Sequence, residues 1–146
     1  MRIVFDTNVL ARAHQLAQGP ARRALLFVAT GSDVLILSQY LLQELRRILT
    51  YPRLLRSSGL TALDISEYLD YLARVSTLVH PVPVPENLLK DHADEPVLGT
   101  ALAGNAEVIC TRDAHFFAEE VQRFSAARGI RILTDLDLVR LLRLQP

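Results

Sequence analysis

One cysteine, Cys110, stands among 146 residues, which excludes an intrachain disulfide framework and a cysteine-rich zinc site. There is no excess of charge either, since 16 basic residues balance 16 acidic ones. That balance argues against a general nucleic-acid coat protein but is compatible with a local basic rim around an acidic centre. No apolar run approaches the roughly 18 residues that suggest a membrane span, so no membrane association is expected. The first residues lack the basic region and apolar core of a secretory signal, because Asp6 interrupts the apolar stretch. A cytoplasmic protein is the expectation. The four histidines, His14, His80, His92 and His115, are scattered without metal-ligand spacing, and Cys110 reads as a small core residue of a strand rather than a nucleophile.

Half of the residues are hydrophobic, and the length suits one domain, 1–146, with a proper core. Ile3, Val4 and Phe5 read as a strand buried on both faces. "GPARRALLFVATG" has proline at a first helical position and glycine past the end, the asymmetry of a helix. "DVLILS" reads as a buried strand, and Ser38 is placed to cap the helix "QYLLQELRRIL". Thr61 and Asp64 have capping-box spacing, with Leu60 and Ile65 at the staple positions. "TLVHPVPVPENL" carries three prolines that exclude helix and predict an edge strand or extended connection. "DHADEPVLGTALAGNA" then predicts a helix, "EVICT" a strand, "DAHFFAEEVQRFSAARG" a helix closed by Gly129, "IRIL" a strand and "TDLDLVRLLRL" a last helix. Strands alternating with helices imply an α/β fold: a three-layer α/β/α sandwich around a mainly parallel sheet, with residues 40–75 as a helical arm.

Within that frame the acidic residues fall in a pattern. Asp6 follows one apolar strand and Asp113 follows another, and in a parallel sheet both ends lie on the same rim, where open α/β folds place their sites. Glu44 lies at the edge of the apolar stripe of its helix, beside Leu41 and Ile48; it reads either as an inward acid or as a boundary glutamate that snorkels. Asp94 shares the inward face of Val97, Leu98 and Ala101, although helix capping also accounts for an aspartate there. Asp91 and Glu95 thicken the charge nearby, or serve as solvated first-turn acids. Like charges gathered on one rim repel one another unless a cation sits among them. Oxygen ligands favour Mg²⁺ or Mn²⁺ over zinc.

"DTNVL", "LSQYLLQEL", "DHADEPVLGTALAGNAEVICTRD" and "GIRILTDLDLVRLL", in this order, resemble the PIN-domain nucleases over nearly the whole chain, in particular the toxin components of toxin–antitoxin pairs. The resemblance implies a PIN-like fold and makes Asp6, Glu44, Asp94 and Asp113 the catalytic, metal-holding quartet. Asn8, Ser38 and Thr111 become supporting residues, with Asp91 and Glu95 beside them. One departure is Ala93, where relatives often carry a denser acidic run. The implied activity is Mg²⁺- or Mn²⁺-dependent hydrolysis of RNA phosphodiester bonds, leaving 5′-phosphate and 3′-hydroxyl ends. Arg112 is the candidate substrate contact, and a small antitoxin protein is the implied partner.

Two other readings compete. An aspartyl-phosphate phosphatase with Asp6 as nucleophile needs an acid two residues later, where Asn8 cannot exchange a proton. A non-catalytic interaction module would leave the acids solvated. A homodimer is also expected, because the helical arm offers Tyr40, Tyr51, Leu54, Leu55, Tyr68 and Tyr71, and tyrosine suits interfaces.

Overall fold

The computed structural model describes residues 1–144. Ile3, Val4 and Phe5 are fully buried, as a strand covered on both faces requires. They belong to β1 (Arg2–Phe5), the middle of a five-stranded sheet with β2 (Val34–Leu37), β3 (Ser76–Leu78), β4 (Val108–Cys110) and β5 (Arg131–Leu133). The order is β3-β2-β1-β4-β5, and every pairing is parallel. The chain steps outward from β1 to β3, then returns to the other side of β1 for β4 and β5. The order therefore reverses between β1 and β4, and their C-terminal ends flank a topological switch point.

The described residues form eight α-helices around the sheet: α1 (Thr7–Ala11), α2 (Pro20–Thr30), α3 (Gln39–Thr50), α4 (Pro52–Ser58), α5 (Ala62–Val75), α6 (Glu95–Ala103), α7 (Glu119–Ala126) and α8 (Asp135–Arg143). Crossovers that move in opposite directions across a parallel sheet put their helices on opposite faces. Accordingly α2 packs on α8, while α6 lies against β1, β2 and β4. The arm over residues 40–75 is helical, as expected, and comprises α3, α4 and α5. Thr61 and Asp64 exchange both capping-box bonds, at 3.1 and 2.9 Å, with Leu60 and Ile65 buried beside them. Of the arm's large side chains, Tyr68 is buried and donates its hydroxyl to Leu10 O at 2.7 Å. Leu54, Leu55 and Tyr71 pack partly buried on the core, leaving Tyr40 and Tyr51 exposed.

The chain turns into α1 directly after Asp6, an element too short to show a period in the sequence. Two expectations need correction. The helix expected over residues 91–106 begins as a 3₁₀ turn, His92–Asp94, before α6. The helix expected after Asp113 is two pieces, a 3₁₀ turn (Ala114–Phe117) and α7, separated by the extended Ala118. Asp113 starts that turn by accepting the His115 N–H at 2.9 Å, and the tight turn buries Phe116 completely while His115 stays partly exposed.

Gly99 has a packing role. A Cβ there would lie 2.4 Å from Val82 O, and Val82 N donates to Gly99 O at 3.2 Å. The proline-bearing segment after β3 is thereby held against α6, the helix that Asp94 precedes. No helix among the described residues is long and apolar enough to cross a membrane.

Candidate metal centre at the switch point

Asp6 leaves β1 and caps α1, its carbonyl accepting the N–H groups of Val9 and Leu10 at 3.0 Å each. Its carboxylate is 2 % exposed as part of the residue. Oδ2 accepts from Thr111 Oγ1 at 2.7 Å and Oδ1 from Thr7 Oγ1 at 3.3 Å. Burial pushes its pKa up; the Thr111 hydroxyl, the Asn8 backbone N–H and, more weakly, Thr7 oppose this, while nearby Asp113 adds to it. Thr111 is itself fully buried and also accepts the Asp113 N–H at 3.0 Å. One hydroxyl thus links the acids at the ends of β1 and β4.

Asp94 sits at the N-terminus of α6, where Pro96 suits the first turn and Val97, Leu98 and Ala101 bury the face below it. It is a buried acid whose carboxyl is pushed up to about 6, first by burial and then by the charge of Asp113; His115 opposes the shift, while Asp6 and Asp91 add to it. His115 Nδ1 lies 3.4 Å from Asp94 Oδ2 and 3.6 Å from Asp113 Oδ1. Asp94, Asp113 and His115 each offer one ligand atom, all within 4.8 Å of one another. Two carboxylates and an imidazole, with the Asp6 carboxylate close enough to add to the repulsion, make a donor set that fits a divalent cation.

The remaining candidates divide. Ser38 caps α3 by accepting the Leu41 N–H at 3.3 Å, and its hydroxyl shares a 3.0 Å hydrogen bond with Thr100 of α6, so it fastens two site-bearing helices. Asn8 is exposed, and its contact to Asp6 runs through the backbone N–H. Glu44 lies outside the close group: it is half-exposed and bound by both oxygens to Arg47 at 2.5 and 3.1 Å. Such an exposed pair one helical turn apart is cheap to open. Asp91 caps the 3₁₀ turn through Ala93 N, and Glu95 pairs with His92 at 2.9 Å. Arg112 is largely exposed, with Nε 3.7 Å from Asp135.

Three further residues join the site. His115 has no second histidine spaced with it in the sequence; the 3₁₀ turn after Asp113 is what brings it to the cluster. Asp135 follows a strand just as Asp6 does, and "ILTD" repeats the ending of "IVFD", a signal present in the sequence. Arg12 reaches toward Asp135, 4.0 Å away, which no spacing announces.

No curated protein matches the sequence. Among solved structures, the crystal structure of VapBC2 from Rickettsia felis bound to a DNA fragment from their promoter contains a chain similar in fold. The TM-score is 0.55 and the identity 13 %, over 92 % of this chain and 98 % of that one. Residues 2–115 match the PIN domain, a span holding Asp6, Glu44, Asp94, Asp113 and His115. The chain belongs to the PIN-domain family.

Proposed function

We propose that the protein is a divalent-metal-dependent ribonuclease, acting in the cytoplasm as the toxin of a toxin–antitoxin pair. The observation that carries this reading is the group Asp94, Asp113 and His115, drawn within 4.8 Å at the switch point of a PIN fold, with Asp6 beside it. Asp94, Asp113 and His115 would hold Mg²⁺ or Mn²⁺, with Asp6 adjoining and Glu44 free to join by releasing Arg47. The imidazole favours Mn²⁺ within that pair, because divalent first-row metals gain more from nitrogen donors. Bound there, such an ion supplies a nucleophilic water near neutral pH and offsets charge on the phosphate oxygens.

The chain's own groups do the rest. Thr111 and the Asn8 N–H hold the Asp6 carboxylate in one orientation. Asp94, whose carboxyl is pushed up to about 6 in the metal-free chain chiefly by burial, gives up its proton to hold the ion. Ser38 and Thr100 keep α3 and α6 from separating around the cleft. The products would carry 5′-phosphate and 3′-hydroxyl ends.

By analogy with VapBC2, a complex described with promoter DNA, the partner is a small antitoxin. The exposed Tyr40 and Tyr51 support a homodimer. The test is cleavage of mixed single-stranded and structured RNAs with and without Mn²⁺, beside a chain carrying Asp6→Asn and Asp94→Asn. Activity in chelator, or undiminished activity of the double variant, would refute the reading.

A further inference from the structure

Asp135 is a buried carboxylate that sits at the start of α8, 2 % exposed, and its Oδ1 accepts no hydrogen bond among the described residues. An isolated buried charge is costly. Two cations approach it: Arg112 Nε stands 3.7 Å from Oδ1 and Arg12 Nη2 4.0 Å from Oδ2. Both separations exceed hydrogen-bond length, whereas a closed guanidinium–carboxylate pair sits at about 2.8 Å. One anion therefore faces two guanidiniums without closing a hydrogen-bonded pair with either.

The arginines have donors to spare. Arg12 spends Nε on Asn8 O at 3.3 Å, and its side chain is 44 % exposed, that of Arg112 57 %. A guanidinium carries five N–H donors, so several on each remain for a ligand. Both arginines line one cleft of about 360 Å³ with Asn8, Ile48, Leu54 and Asp113. Asp113 also belongs to the acidic cluster, so the arginine-lined cleft and the cluster adjoin. Paired guanidinium forks are matched to phosphate oxygens.

We propose that Arg12 and Arg112 form a phosphate clamp that binds single-stranded RNA beside the bond to be cut, and that Asp135 is the positioning residue holding both guanidiniums on the cleft; this rests on the nuclease reading of the adjoining cluster.

The experiment is binding of a short single-stranded oligoribonucleotide in chelator, across a salt series, by fluorescence anisotropy. Arg12→Gln and Arg112→Gln should each weaken binding about tenfold and flatten the log-affinity against log-salt slope by about 0.7. Asp135→Asn adds net positive charge, so long-range attraction alone would tighten binding; the clamp predicts weaker binding, and a raised KM with kcat little changed for a cleavable RNA in Mn²⁺. On the double arginine background Asp135→Asn should have no further effect. Arginine variants that bind as the wild type does, or an Asp135→Asn that binds more tightly, would overturn the clamp while the nuclease reading stands. A wild-type chain that binds no RNA in chelator would likewise overturn the clamp, whereas the nuclease reading falls only if Mn²⁺ brings no cleavage. The arginine variants alter exposed side chains and decide the clamp even if Asp135→Asn fails to fold.

Discussion

The Thr111 hydroxyl donates to Asp6 Oδ2 at 2.7 Å across the switch point, joining the residue that follows β1 to the one that follows β4. Because the same oxygen accepts the Asp113 N–H at 3.0 Å, the bond fixes both acids at once. Thr111→Val removes it in a site fully closed to water, and should cost about 1–3 kcal/mol of stability. Thr111→Ser keeps the hydroxyl and should lose less. Urea unfolding of the two variants checks the ranking; a valine variant as stable as the serine one would show the bond to be idle.

Asp94 makes the metal-free protein sensitive to pH in an unusual direction. Its carboxyl moves from 3.8 to about 6 on folding, chiefly through burial and then Asp113. The folded chain therefore binds more protons than the unfolded one between these values, so this contribution is fully present below about pH 4 and is lost as pH rises through about 6. The loss is up to about 3 kcal/mol. Asp6, raised in the same direction by burial, adds to the slope. Asp94→Asn should flatten most of it and raise stability at neutral pH. Mn²⁺ should raise the thermal midpoint at neutral pH, with the gain fading below about pH 6 as Asp94 takes up a proton. Thermal melts in chelator and in Mn²⁺ across this range would show both effects. A metal-free chain that gains stability from pH 4 to 6, or a midpoint indifferent to Mn²⁺, would contradict the crowded-acid picture.

Asn8 supports Asp6 through its backbone N–H, which an alanine would retain. Asn8→Ala should therefore lower activity less than Asp6→Asn and leave metal binding weakened but present. Rates and Mn²⁺ titrations on both variants give the order; equal and total loss of metal binding would reverse it.

Much of this site was legible in the sequence because parallel topology alone places strand ends together. The apolar runs of β1 and β4, followed by Asp6–Thr7 and by Thr111–Arg112–Asp113, placed Asp6, Thr111 and Asp113 on one rim. The angular position of Asp94 relative to Val97 and Leu98 located the fourth element. What escaped depended on local turns and on pairings between distant segments. His115 reaches the cluster only because the chain after Asp113 makes a 3₁₀ turn instead of the expected helix. Glu44 read as either an inward acid or a boundary glutamate, and Arg47, three residues along the same helix, pairs with it in a half-exposed position. Asp135 and its two arginines join α8, α1 and the loop after β4, a union that no single stretch encodes.

The oligomeric state is open to a direct prediction. Tyr40 and Tyr51 are 64 % and 63 % exposed, large amphipathic rings that a second copy would cover. Light scattering over a hundredfold range of concentration should give about twice the 16.3 kDa chain mass. A constant mass of one chain would dismiss the homodimer without touching the metal centre.

Whether the acids and His115 at the switch point hold a catalytic ion is decided by cleavage of a labelled mixed-sequence RNA with Mn²⁺, with chelator, and with the Asp6→Asn and Asp94→Asn chain. The expected result is 5′-phosphate products from the unsubstituted chain with Mn²⁺ and none in the other two arms. Cleavage that persists in chelator or in the double variant, or a well-folded chain that cuts no RNA in Mn²⁺, would contradict it.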